Sequence, residues 1–121
     1  MVINKVLVVD DSPTELANIK GIVADAGYVV LTATNGKEAV EKAKSERPDL
    51  IFLDIVMPDM DGFGACRKLA ADSVTKGIPV VFVTSKNQKA DRVWAQMQGG
   101  KGFITKPYSA NEILDQIKAL Q

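Results

Sequence analysis

The chain predicts an α/β fold with a mostly parallel sheet, on three observations. Five short apolar runs alternate with five segments of helical period, the pattern of strands interleaved with crossover helices. The central runs are almost unbroken apolar sequence, as expected of strands whose two faces are both covered. Four of the runs also end in a polar residue, and parallel neighbours would deliver those residues to one sheet edge. With 121 residues the chain has the size of one domain, taken as 1–121, with no linker, repeat or low-complexity segment.

The elements follow in order. Lys5–Val9 is the first strand and runs into Asp10 and Asp11. Ser12-Pro13-Thr14-Glu15 reads as a capping box with proline at the first helical position. Leu16, Ile19, Val23 and Ala26 then recur at spacings of three and four, and Gly27 supplies the stop. Val29–Ala33 is the second strand. Asn35 opens the second helix, which turns Ala39, Val40 and Ala43 inward, and Pro48-Asp49 ends it. The third strand covers 50–54, and Gly62–Ala71 is a weaker helix carrying Leu69. Val80–Thr84 is the fourth strand. The fourth helix is expected over 87–98, with Ala90, Val93, Trp94 and Met97 on a core-facing side and Gly99-Gly100 as its stop. A short strand over 102–104 leads to Lys106-Pro107. Ser109-Ala110-Asn111-Glu112 repeats the capping box before a last helix packing through Ile113, Leu114, Ile117 and Leu120.

Composition narrows the function. The 15 basic and 15 acidic residues balance, leaving no excess for nonspecific nucleic-acid or membrane binding, so a protein partner is expected. One cysteine, Cys66, precludes an internal disulfide and is expected in the core. With no signal-peptide pattern and no apolar run near the roughly 20 residues of a membrane span, a cytoplasmic location is expected. The absence of histidine excludes histidine catalysis and histidine metal ligands.

At the shared sheet edge the polar residues would be Asp10, Asp11, Asp54, Thr84 and Lys106. Taken singly each has an ordinary reading: a cap or turn for the aspartates, a strand-end hydroxyl for Thr84, a loop for Lys106-Pro107. Because Ser12 already takes the cap, Asp10 and Asp11 are left without an evident structural duty. Carboxylates a few ångströms apart repel, so a proton or a cation must come between them. Oxygen-only ligands favour Mg²⁺ over zinc or copper. Asp11 and Asp54 are expected as direct ligands, Asp10 as a direct or water-mediated one, and the Val56 backbone carbonyl as an extra. The X-Pro bond at Pro107 permits a cis turn that would aim Lys106. Other motifs fail. A calcium loop beginning at Asp59 would put Phe63 and Ala70 where oxygen ligands belong, and Gly99-Gly100-Lys101-Gly102 fits neither nucleotide fingerprint.

This set resembles the receiver domain of bacterial response regulators, the CheY-like phospho-acceptor family, over essentially the whole chain. The resemblance implies a flavodoxin-like doubly wound (βα)5 sandwich with sheet order 2-1-3-4-5. It implies Asp54 as the phosphoacceptor from a partner histidine kinase, with Mg²⁺ (Mn²⁺ as substitute) held by Asp10, Asp11 and Asp54. It further implies Thr84 as the switch hydroxyl, Ser85 offering its backbone N–H to the phosphoryl group, Lys106 pairing with phosphoryl oxygens, and Phe103 as the switching aromatic ring. Lys89, Arg92, Phe103 and Tyr108 would form the output surface, and the protein would act as a monomeric acceptor rather than a turnover enzyme. The stretches Val83-Thr84-Ser85-Lys86 and Asp91-Arg92-Val93-Trp94, with Gln98-Gly99, look most like single-domain regulators of type IV pilus motility or phototaxis (the PilH type), which implies a CheA-like kinase. Ser85 stands where Ala or Gly is usual, and Phe103 lacks the frequent tyrosine hydroxyl. Apolar Val56 is expected to hold a hydrolytic water poorly. The two competing readings are a small haloacid-dehalogenase-like phosphatase, which would need Asp-x-Asp after the first strand, and a receiver-shaped module that binds without phosphorylation.

Overall fold

The computed structural model describes residues 2–58, 60–86 and 88–121. The element order is β1 (Lys5–Val9), α1 (Pro13–Asp25), β2 (Val29–Ala33), α2 (Gly36–Glu46), β3 (Leu50–Leu53), α3 (Gly62–Ala71), β4 (Val80–Thr84), α4 (Lys89–Met97), β5 (Gly102–Thr105) and α5 (Ala110–Leu120). The strands form one parallel sheet in the order β2-β1-β3-β4-β5. From β1 the chain moves to one side to make β2 and then crosses back to make β3. That reversal opens a crevice beyond the C-terminal ends of β1 and β3, where open α/β sheets bind ligands.

Two cores flank the sheet, and strand alternation sorts residues between them. Val6, Val8, Leu50, Phe52, Val81 and Val83 meet Ile19, Val23, Ile113 and Ile117 from α1 and α5. Leu7, Val9, Ile51, Leu53, Val80 and Phe82 meet Ala39, Ala43, Phe63, Leu69 and Ala95 from α2, α3 and α4. Every residue of β3 and β4 is buried. Each large side chain so covered contributes about 1.5–3 kcal/mol. Phe63 and Phe82 add an edge-to-face contact at 5.4 Å between centroids.

The expected starts hold at Ser12, Asn35 and Ser109, whose side chains accept from the backbone N–H of Glu15, Glu38 and Glu112. Ser109 closes its capping box, with Glu112 accepting in return from the Ser109 N–H at 3.1 Å. Ser12 does not. Its N–H donates to Asp10 Oδ1 at 2.9 Å, and the Glu15 carboxylate reaches toward Lys106 instead. The reading that left Asp10 without a structural duty is therefore corrected: one of its oxygens holds the turn into α1.

Helix α4 departs most from expectation. The expected start at Asn87 lies outside the described residues, and the helix runs from Lys89 with Gln88 as its cap. Ala95 is its one buried residue, while Ala90, Val93, Trp94 and Met97 all face solvent. Apolar residues at helical spacing identify a stripe but do not say which way a short helix is turned. Here α4 presses Ala95 toward β5 and leaves the apolar stripe outside. Ala26, also expected inside, is exposed at the end of α1.

Cys66 is buried as expected, and its thiol donates to the Gln98 carbonyl at 3.1 Å. Burial pushes that thiol up to about 11, only partly offset by Arg67. Its reaction with an aromatic disulfide reagent at pH 8 should therefore be slow in the native protein and immediate in urea, because only the thiolate reacts. Equal rates in the two conditions would show an accessible thiol.

Candidate functional site

Backbone pairing places each functional residue. The Asp10 N–H donates to the Ala33 carbonyl at 3.2 Å, and the Asp54 N–H to the Val9 carbonyl at 3.1 Å, so the sheet ladder continues one step past β1 and β3. The Lys106 N–H donates to the Thr84 carbonyl at 2.9 Å, joining the ends of β4 and β5 in the same way. The Lys106-Pro107 bond is cis, the form the sequence allows. All five polar residues thus leave the sheet at one edge.

Carboxylate oxygens of Asp10, Asp11 and Asp54 lie within 4.8 Å of one another. Asp10 and Asp54 are buried and Asp11 is exposed. The Lys106 ammonium bridges the two buried carboxylates, 2.8 Å from Asp10 Oδ2 and 3.3 Å from Asp54 Oδ2, with Glu15 Oε2 at 3.9 Å. Asp54 Oδ1 accepts from the Ile55 N–H at 2.7 Å. The carboxylates gathered here outnumber the single ammonium, which leaves the cluster with an excess of acidic oxygens suited to a cation.

Burial pushes the Asp54 carboxyl up from its ordinary value. Lys106 pulls it down, neighbouring Asp10 raises it further, and the Ile55 N–H lowers it again. Burial alone would lower Lys106, but the Asp10 hydrogen bond and the charges of Asp54, Asp10 and Glu15 outweigh it, so the ammonium is held above its usual range. One lysine does not cancel the cost of ionising Asp54. The donor set, hard oxygens with residual negative charge, fits a hard cation such as Mg²⁺.

The other expected residues lie on β4, β5 and α4 and in the loops that follow β3, β4 and β5. The Thr84 hydroxyl is buried and accepts from the Lys86 N–H at 3.3 Å, which holds it at the end of β4. Ser85 is exposed and, with Glu15, Asn18, Lys106, Pro107 and Tyr108, lines an open cavity of about 550 Å³ beside the cluster. Tyr108 accepts from the Asn18 side-chain amide at 3.0 Å. Val56, 55% exposed, stands just past Asp54. Half-buried Phe103 lies under the Arg92 guanidinium, 4.8 Å from the ring centre, and the same guanidinium donates to Thr105 Oγ1 at 3.0 Å. Lys89 is exposed on α4.

Two contributors escape sequence reasoning. Glu15 looks like a cap partner, and only the tertiary fold brings it to Lys106. Gly62 looks like an ordinary helix start, but a Cβ there would sit 2.1 Å from the Asp54 carbonyl oxygen and 2.8 Å from Ile55 Cα. The first turn of α3 packs directly on the backbone that carries Asp54, and the Gly62 N–H donates to the Ile55 carbonyl at 2.8 Å. Gly62→Ala should cost about 2–3 kcal/mol in urea unfolding and slow any chemistry at Asp54. A wild-type midpoint would show that this contact can relax.

Comparison with known proteins agrees with the geometry. Residues 6–118 match the response regulator receiver domain family. The chain is 42% identical to protein PilH of Pseudomonas aeruginosa over 116 residues, which cover 96% of each chain. A CheY chemotaxis protein of Vibrio cholerae superposes with a TM-score of 0.93 at 31% identity, covering 99% of this chain and 100% of that one. The receiver domain of a Pseudomonas aeruginosa sensor histidine kinase, solved with magnesium in its active-site cleft, gives 0.90 at 25% identity and 98% coverage of both. With its sheet order, its acidic edge and its bridging lysine, the chain belongs to the response regulator receiver family and is a phosphorelay response regulator.

Proposed function

We propose that Asp54 is the phosphoacceptor of this regulator and that a histidine kinase is its donor. The observation that carries the reading is the Lys106 ammonium shared between Asp10 and Asp54, at the mouth of a cluster with excess negative charge. In the transfer, a carboxylate oxygen of Asp54 forms the O–P bond as the N–P bond of a phosphohistidine breaks, and the kinase imidazole leaves. Phosphoryl transfer asks mainly for positioning and charge neutralisation. Lys106, already 3.3 Å from Asp54 Oδ2, meets the incoming phosphoryl oxygens. The Ser85 backbone N–H adds a donor at the end of β4. Magnesium held by Asp11, Asp54, Asp10 (directly or through water) and the Val56 carbonyl would supply the remaining positive charge, and manganese would substitute.

Phosphorylation then draws the Thr84 hydroxyl toward Asp54 and away from the Lys86 N–H, which opens room for Phe103. That ring carries Arg92 on its face, so its movement is felt on the surface of Lys89, Arg92 and Tyr108. Receiver domains pass such a change from kinases to target proteins, and a modest difference in target affinity between the two states is enough to signal. The extended likeness to PilH favours a role in pilus-based motility or taxis, a CheA-like kinase and a monomeric regulator in the cytoplasm. Among the described residues no helix is long and apolar enough to cross a membrane. The domain acts as an acceptor with slow self-dephosphorylation rather than as a turnover phosphatase.

The test is phosphotransfer profiling against histidine kinases with Mg²⁺ present. Rapid labelling by one kinase is expected. No labelling by any kinase or by acetyl phosphate would leave a module that binds without phosphorylation. Steady hydrolysis of phosphate monoesters would restore the phosphatase reading. Within this mechanism Val56→Asn should change the rate of phosphoryl loss, because an amide at that exposed position can hold an attacking water and an isopropyl group cannot. Equal rates would remove Val56 from the account.

A further inference from the structure

The side chain of Glu15 has no task at the start of its own helix. The cap there uses only the Glu15 backbone, whose N–H donates to Ser12 Oγ at 3.4 Å. The Ser12 N–H that a capping box would direct to the Glu15 carboxylate donates to Asp10 Oδ1 instead. That carboxylate stands 3.9 Å from the Lys106 ammonium, with its side chain 41% exposed. An ion pair so open to water contributes little stability. What the position does supply is charge. Among the described residues that line the open cavity beside the cluster, Glu15 and Lys106 are the charged ones. A divalent cation and Lys106 would neutralise Asp10, Asp11 and Asp54, and Glu15 is then the uncompensated carboxylate on the approach.

The chemistry of transfer makes that charge selective. With Asp54 as acceptor, as proposed above, the attacking oxygen and the leaving group lie roughly in line across phosphorus. The leaving group therefore departs away from buried Asp54, on the open side that carries Glu15. Phosphodonors divide by the charge on that group. In acetyl phosphate the oxygen takes the electron pair of the breaking O–P bond, and acetate leaves as an anion. In phosphoramidate, and in a phosphohistidine protonated on its free ring nitrogen, the group bonded to phosphorus is cationic. It leaves neutral once nitrogen takes the pair of the N–P bond. A nearby carboxylate repels the first kind of leaving group and attracts the second.

We propose that Glu15 selects the phosphodonor, disfavouring small acyl phosphates and favouring nitrogen–phosphorus donors such as a kinase phosphohistidine. It acts from the rim through its charge and forms no bond to phosphorus. Lys106 cannot make this distinction, because it meets the phosphoryl oxygens that both kinds of donor share. Asn18, the other α1 residue of the cavity, is neutral, and its amide is engaged in donating to the Tyr108 hydroxyl at 3.0 Å. The selection rests on Asp54 as the acceptor, and the two can fail separately.

Labelling of the full chain is followed with Mg²⁺ present, using acetyl phosphate and phosphoramidate in parallel. The quantity read is the ratio of the two rate constants in each protein. Glu15→Gln should shift that ratio toward acetyl phosphate by about threefold at low ionic strength, and Glu15→Lys should shift it further. In about 1 M salt, where charges are screened beyond roughly 3 Å, the shift should largely disappear. Glu15→Asp keeps the charge and should keep most of the wild-type ratio. A ratio unchanged by Glu15→Gln, a shift toward phosphoramidate, or a shift as large in high salt would overturn the proposal and leave Asp54 as acceptor. A Glu15→Asp ratio equal to that of Glu15→Gln would assign the effect to side-chain length, and also overturns it. Labelling of the wild type by neither donor would overturn both readings together.

Discussion

Asp54→Asn should abolish labelling by acetyl phosphate and by any kinase that labels the wild type, while the fold persists. The amide keeps the shape of the carboxyl but cannot form the acyl phosphate. Persistent labelling of this protein would move the acceptor elsewhere. Its stability should rise in magnesium-free buffer, on the order of 1 kcal/mol, because repulsion with Asp10 disappears and a buried charge is removed at the cost of one Lys106 partner. The pH dependence has a definite sign. Burial raises the native Asp54 carboxyl above its ordinary 3.8, so the native state gains from protonation at low pH. That advantage is complete below 3.8 and is lost as pH rises through the native value. The Asp54→Asn protein lacks this component, and parallel pH–stability curves for the two proteins would contradict it.

Lys106→Met should produce the second large effect, opposite in sign. The ammonium stands between two buried carboxylates with its own side chain only 16% exposed, and its removal leaves Asp10 and Asp54 facing each other without a counterion. Breaking a fully buried pair costs about 3–5 kcal/mol; open access at Asp11 moderates this to about 2 kcal/mol, or about 8 °C in melting temperature. Magnesium should restore more stability to this protein than to the wild type, since it becomes the sole counterion. Phosphorylation should slow strongly, because the phosphoryl oxygens lose their lysine. A melting temperature equal to wild type without magnesium would show that the lysine is not holding the cluster together.

Much of this site is legible along the chain because strands are short and parallel. A residue that follows an apolar run must appear at the sheet edge, so the sequence alone brings Asp10, Asp54, Thr84 and Lys106 together. Cap chemistry is local too, and Ser12, Asn35 and Ser109 behave as their residue types require. Where a side chain has a choice of partner, local rules stop short. Glu15 could close the cap on Ser12 or turn to Lys106, and only the distance to Lys106 decides. The rotation of α4 is undetermined for the same reason. Its apolar stripe could meet the sheet or the solvent, and packing of Ala95 beside β5 selects the second.

Apolar periodicity and the polar residue after each strand determined the (βα)5 pattern, the acidic edge and its lysine, because these depend on repeats and spacings internal to each element. Tertiary packing decided which oxygen of Asp10 meets Lys106, why Gly62 must lack a side chain, and that Trp94 faces outward. Those outcomes depend on distances between elements far apart in the chain, and they are set only when the helices settle onto both faces of the sheet.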